Sequence, residues 1–201
     1  MTDIAAIMRL APVIPVLVID DAATARPLAE ALVAGGLRAL EVTLRTPAAL
    51  DAIRAMKAVP GAVVGAGTVI TPDQVDAVRD AGAEFIVSPG LSTRLSEHVI
   101  AGGLPYLPGV ATAGDIMRGL ELGLMHFKFF PAATSGGLPA LKALAAPFGQ
   151  CRFCPTGGIG PDSARDWLAF DPVLCVGGSW VAGGSPAEVE AKARAAAALG
   201  A

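Results

Sequence analysis

An α/β fold is predicted, a single (β/α)8 TIM barrel with a short N-terminal helix, spanning residues 1–201 as one domain. Three observations predict it. Short apolar or β-branched runs alternate with Ala/Leu-rich amphipathic stretches eight times, the pattern of a parallel sheet with helical crossovers. No linker, low-complexity segment or charge block divides the chain. Its 201 residues are enough for one full core and lie near the lower limit for an eight-fold barrel.

The elements follow in order. A helix over 3–10 precedes a strand over 13–19 and a helix over 21–34. Strands over 39–44, 63–68 and 85–89 lead to helices over 47–58, 72–81 and 93–101. Strands over 105–110 and 126–130 lead to helices over 113–122 and 138–145. The last pairs are 151–156 with 161–169 and 173–178 with 186–199. Thr71-Pro72-Asp73-Gln74 and Ser185-Pro186-Ala187-Glu188 each place a hydroxyl at the N-cap, proline at N1 and Gln or Glu at N3. Thr46-Pro47 and Gly160-Pro161 repeat the proline punctuation.

Composition narrows the function classes. The apolar fraction is 53%, much of it alanine, and the run Val13 to Ile19 is too short to span a bilayer. No N-terminal stretch combines basic residues, an apolar segment and a small-residue cleavage site, so a cytoplasmic location is expected. A net charge of −3 without a basic run argues against nucleic acid. Cys151 and Cys154 sit three apart on a strand and point to opposite faces, which suits buried thiols better than a shared ion. His98 and His126 have no metal-ligand spacing, so chemistry without metal or cofactor is expected.

Strands covered on both sides should be almost wholly apolar, so their polar residues stand out. Leu40-Glu41-Val42-Thr43-Leu44-Arg45 sends Glu41, Thr43 and Arg45 to one face, away from the helices. Those residues are either a site or a space-filling Glu41–Arg45 salt bridge. His126-Phe127-Lys128-Phe129-Phe130 turns Phe127 and Phe129 toward helices and Lys128 and Phe130 inward. An ammonium among aromatics loses hydration, which favours the free amine needed to attack a carbonyl. Lys128 could also bind phosphate or merely pair with Glu41. Thr156-Gly157-Gly158 and Gly177-Gly178-Ser179 end the last two strands, where glycine amides and hydroxyls suit a phosphate. Glycines after other strands, as in Gly65-Ala66-Gly67-Thr68 and Ser88-Pro89-Gly90, leave room at the mouth or serve tight turns.

Five segments together resemble one family. Glu41-Val42-Thr43-Leu44-Arg45-Thr46, Gly65-Ala66-Gly67-Thr68-Val69, Phe127-Lys128-Phe129-Phe130-Pro131-Ala132, Cys154-Pro155-Thr156-Gly157-Gly158-Ile159 and Gly177-Gly178-Ser179-Trp180 are similar to bacterial 2-keto-3-deoxy-6-phosphogluconate (KDPG) aldolase, also described as 4-hydroxy-2-oxoglutarate (KHG) aldolase. The match runs in order from about Val13 to Val181. It implies a class I, cofactor-free aldolase of the Entner–Doudoroff pathway that cleaves KDPG to pyruvate and D-glyceraldehyde 3-phosphate. Cleavage of 4-hydroxy-2-oxoglutarate to pyruvate and glyoxylate is implied as well. By the resemblance, Lys128 is the Schiff-base lysine and Glu41 the general acid/base. Arg45 and Thr68 hold the pyruvyl carboxylate, Phe130 packs beside the pyruvyl group and Pro89 lines the pocket. Thr156 bonds substrate, while Gly157, Gly158, Gly178 and Ser179 hold the phosphate. A homotrimer is implied too. A metal-dependent phosphosugar epimerase and a non-catalytic phosphometabolite sensor are the other classes compatible with such loops.

Overall fold

Helices begin where the sequence supplies caps. The Thr71 hydroxyl accepts the Gln74 N–H while the Gln74 side chain accepts the Thr71 N–H, and Ser185 and Glu188 form the same reciprocal pair. Thr112 and Asp115 add a third such box that the sequence reading did not single out. Each box satisfies amides that the helix itself leaves free. The computed structural model describes residues 3–200.

Among these residues nine strands are formed, with helices between all but the fifth and sixth: β1 (Val13–Leu17), β2 (Ala39–Thr43), β3 (Val63–Gly67), β4 (Phe85–Val87), β5 (Tyr106–Leu107), β6 (Gly109–Val110), β7 (His126–Phe129), β8 (Arg152–Pro155) and β9 (Val176–Gly178). The helices are α1 (Ile4–Met8), α2 (Ala25–Ala34), α3 (Ala49–Lys57), α4 (Pro72–Asp80), α5 (Thr93–Ala101), α6 (Ala113–Glu121), α7 (Gly137–Ala145), α8 (Pro161–Leu168) and α9 (Pro186–Ala197). Short 3-10 turns at Ala22–Thr24 and Ala198–Gly200 occupy ends that the sequence assigned to regular helix. Pairing is parallel throughout these ladders.

The expected closed eight-stranded barrel is not formed. The strands gather into a six-stranded sheet, in the order β5-β4-β3-β2-β1-β9, and a three-stranded sheet, β6-β7-β8. Two local causes interrupt closure. Pro108 lies inside the expected strand 105–110 and, having no N–H, divides it into β5, which pairs with β4, and β6, which pairs with β7. At the other seam the expected strand 173–178 shortens to Val176–Gly178, and β8 meets this segment through isolated bridges at Phe153–Val173 and Thr156–Gly177. The α/β class stands, and the closed-barrel architecture does not.

Strand alternation sorts the core into two clusters. Leu40, Val42, Phe127 and Phe129 pack in a large cluster with helix residues such as Ile53, Ile116 and Trp167. Ile14, Ala39, Phe85, Val87, Leu107, Cys154 and Cys175 form a second cluster, to which α1 adds Ile7 and Met8. Ala39 and Phe85 open their strands, so α1 covers the side where strands begin and leaves their ends free for chemistry. Cys151 falls in the first cluster and Cys154 in the second, the opposite faces read from their spacing.

Candidate active site

β2 and β7 each bury one charge, and the two charges meet. Lys128 is 5% exposed and Glu41 3%, and the Lys128 Nζ donates to Glu41 Oε1 at 3.0 Å. The two residues lie on different hydrogen-bonded sheets. Phe127 and Phe129 explain why Lys128 points inward: the first packs on Phe153 at 6.3 Å between ring centroids, the second on Trp167 at 6.4 Å. Alternation then leaves Lys128 on the other face. Its backbone N–H donates to the Pro108 carbonyl at 2.8 Å, and its Nζ lies 5.2 Å from the centre of the Phe130 ring.

Glu41 has its own support. A Cβ on Gly67, at the end of β3, would overlap the Glu41 carboxylate, so this close approach demands glycine. Thr43 donates to the Leu17 carbonyl at 2.9 Å and Thr46 to the Ile19 carbonyl at 2.5 Å, fastening the end of β2 to the end of β1. The space-filling Glu41–Arg45 bridge is not what forms: Glu41 pairs with Lys128, and Arg45 is exposed. A buried ion pair is weak evidence of stability, since apolar residues of similar volume often serve as well. An amine and a carboxylate in hydrogen-bond contact can pass a proton between them, which apolar residues cannot do.

Beyond Phe130 lies a cavity of about 310 Å³ whose lining includes Arg45, Phe130, Thr156, Gly157, Gly158, Gly178 and Ser179. The structure therefore gathers most of the residues singled out in the sequence. Gly157 and Gly158 have φ of +100° and +75°, a left-handed path that turns the chain across the mouth. A Cβ on Gly177 would overlap the Thr156 hydroxyl, so that glycine makes room for the threonine. Lys128, Glu41, Thr68 and Pro89 are not in its lining; the Lys128–Glu41 pair is linked to it through Phe130. Pro89 is exposed and borders a separate hollow of about 250 Å³ with Val69 and Leu95. Thr68 follows β3 with φ +60°, a strained conformation for a β-branched residue.

Sequence reasoning missed several contributors. Val16, Val18 and Ile159 line the cavity but read as ordinary core residues. Gly67 and Gly177 stood in glycine motifs, but the side chains they accommodate lie on other strands. Burial raises the Cys151 thiol above its ordinary value. A hydrogen bond with Cys154, then burial, pushes Cys175 up. Both shifts favour neutral thiols. Among the described residues no group of three or more His, Cys, Asp or Glu side chains is placed to hold a metal ion.

A family model described as KDPG and KHG aldolase matches residues 4–196. This chain belongs to that family. It is 63% identical over 181 residues to the 2-dehydro-3-deoxy-phosphogluconate aldolase of Zymomonas mobilis, covering 90% of this chain and 87% of that one. It is 53% identical over 181 residues to the KHG/KDPG aldolase of Escherichia coli K12, covering 90% and 85%. Among solved structures, the KDPG aldolase of Legionella pneumophila superposes with a TM-score of 0.94 at 44% identity, covering 98% of each chain. That enzyme was captured with pyruvate as a covalent carbinolamine intermediate. KDPG and KHG aldolases are lyases, and this chain is one of them. Among its described residues no helix is long and apolar enough to cross a membrane.

Proposed function

We propose that this aldolase cleaves 2-dehydro-3-deoxy-6-phosphogluconate to pyruvate and D-glyceraldehyde 3-phosphate through an imine on Lys128. It also cleaves 4-hydroxy-2-oxoglutarate to pyruvate and glyoxylate. The observation that carries this reading is the buried Lys128–Glu41 contact of 3.0 Å beside Phe130, whose ring lines the glycine-rich cavity. The named activities of the relatives and the carbinolamine in the Legionella enzyme support it.

The chemistry follows from the parts. Glu41 takes a proton from the Lys128 ammonium, and the free amine adds to the keto carbon of the substrate. The carbinolamine loses water, with a proton returned to the departing oxygen, and a protonated imine results. As Glu41 takes the proton of the fourth-carbon hydroxyl, the bond between the third and fourth carbons breaks. Its electron pair moves into the imine to give an enamine. The aldehyde departs, Glu41 passes a proton to the third carbon, and water releases pyruvate and the amine. The electron sink is the imine formed on the chain's own lysine.

Specificity comes from the mouth. Gly157, Gly158, Gly178 and Ser179 hold the phosphate with backbone N–H groups and a hydroxyl, while Arg45 and Thr68 hold the carboxylate. Thr156 bonds the substrate, and Phe130 confines the pyruvyl end. The strain at Thr68 is the kind found where a backbone group must be aimed. The resemblance further suggests a homotrimer, which sedimentation equilibrium would test. The function itself is tested by incubating the purified protein with each substrate and measuring both products. Equimolar pyruvate and glyceraldehyde 3-phosphate support the proposal; no release from KDPG overturns it.

A further inference from the structure

The turn after β9 is built around a tryptophan. The Ala182 N–H donates to the Ser179 carbonyl at 3.2 Å, closing a turn in which Trp180 follows Ser179. Its ring folds back on Gly178 so closely that a Cβ there would overlap the indole. The indole also borders a groove of about 290 Å³ with Pro161, Lys192, Ala196 and Leu199. Pro161 is the first residue of α8, directly after the Gly157–Gly160 loop. Lys192 of α9 donates to the Gly183 carbonyl at 2.6 Å, holding the segment just beyond the turn. One rigid ring thus abuts one glycine loop and stands beside the helix start that anchors the other.

We infer that Trp180 is a positioning residue that makes the site selective for phosphorylated aldehydes. Glycine loops are permissive, and recognition by backbone N–H groups works only if those groups are already aimed. Trp180 does not line the cavity, so it acts through Gly178 and Ser179, which do. A wide, stiff side chain with two rotatable angles fixes their path at small entropic cost. The inference rests on the phosphate reading of these loops.

The test runs in the condensation direction with pyruvate and either glyceraldehyde 3-phosphate or glyceraldehyde. The parent's preference for the phosphorylated aldehyde checks the phosphate reading on its own; equal use of both aldehydes overturns that reading. Given a preference, Trp180→Ala should raise KM for glyceraldehyde 3-phosphate by roughly tenfold to a hundredfold, the scale of an ångström of misplacement. KM for glyceraldehyde and the rate of borohydride trapping with pyruvate should stay within about twofold of the parent. Trp180→Phe, which keeps a ring against Gly178, should recover most of the preference. A Trp180→Ala protein that keeps the parent's aldehyde preference, or loses activity with both aldehydes equally, overturns the inference. If that variant does not fold, intrinsic fluorescence decides. Inorganic phosphate should shift the parent's emission and leave that of Trp180→Phe unchanged, because Trp167 is buried against Phe129. An equal response in both proteins, or none in the parent, contradicts the inference.

Discussion

Glu41 and Lys128 occupy comparable places in unlike sheets. Glu41 sits on β2 of the six-stranded sheet, paired with β3 over all five residues from Ala39 to Thr43. Lys128 sits on β7, the middle of only three strands, between β6 and β8. The long sheet holds its charge by close packing, with Gly67 leaving room for the carboxylate. The short sheet holds its charge by elimination, because Phe127 and Phe129 claim the helix side. No shared ladder fixes the two groups relative to each other. Their 3.0 Å contact depends on how the sheets pack together, so the seams at Pro108 and at Thr156–Gly177 bear on catalysis although neither seam donates a proton.

The largest effect should come from the short sheet. Lys128→Arg keeps a cation but removes the nucleophile, since a guanidinium stays protonated. KDPG cleavage should fall by more than about 10⁴-fold, the scale of losing a covalent nucleophile. A variant with more activity than that would place the nucleophile elsewhere. On the long sheet, Glu41→Gln should lower cleavage by roughly 10²- to 10⁴-fold, the usual worth of general acid/base catalysis. It should leave slow borohydride trapping detectable, a split that single-turnover measurements can resolve. No loss in either step would remove Glu41 from the proton transfers.

Gly67→Ala sharpens the comparison, because it leaves both charged residues in place and disturbs only the packing around Glu41. The added methyl collides with the Glu41 carboxylate and should lower kcat by about 10²-fold, the scale of an ångström of misplacement. An unchanged kcat would show that Glu41 relaxes without penalty. Thr68→Gly should have the smallest effect. Removing a left-handed threonine relieves roughly 1–2 kcal/mol, and the extra chain entropy of glycine returns about 0.5–1 kcal/mol. The melting temperature should therefore hold or rise slightly while KM for pyruvate rises through loss of the hydroxyl. A lower melting temperature would mean that the threonine is not strained.

The inward, buried placement of Glu41 and Lys128 was legible in the sequence, and the sheet architecture was less so. Period-two alternation exposes a lone charge within an apolar strand, so Glu41 and Lys128 were legible as inward-facing residues. Alternation says nothing about which ladders close, and Pro108 falls inside the expected strand 105–110 at the point where one ladder gives way to another. Gly67 was visible only as part of a glycine motif, because the side chain it accommodates lies on a neighbouring strand. Val16 and Val18 line the cavity with the same residue type that fills a core. Thr68 and Pro89 stood in strand-end segments and took their roles from resemblance alone, and both lie outside the cavity lining.

The central claim is that a lysine on the short sheet attacks under the control of a carboxylate on the long one. Incubating the unmodified protein with pyruvate and borohydride, then digesting it and mapping the adduct by mass spectrometry, tests it most directly. The chain has four lysines, and Lys57, Lys142 and Lys192 are all exposed. One pyruvyl group per chain, confined to Lys128 in the segment from Phe127 to Pro131, is the predicted result. An adduct on Lys57, Lys142 or Lys192, or no adduct under conditions where KDPG is cleaved, would contradict it.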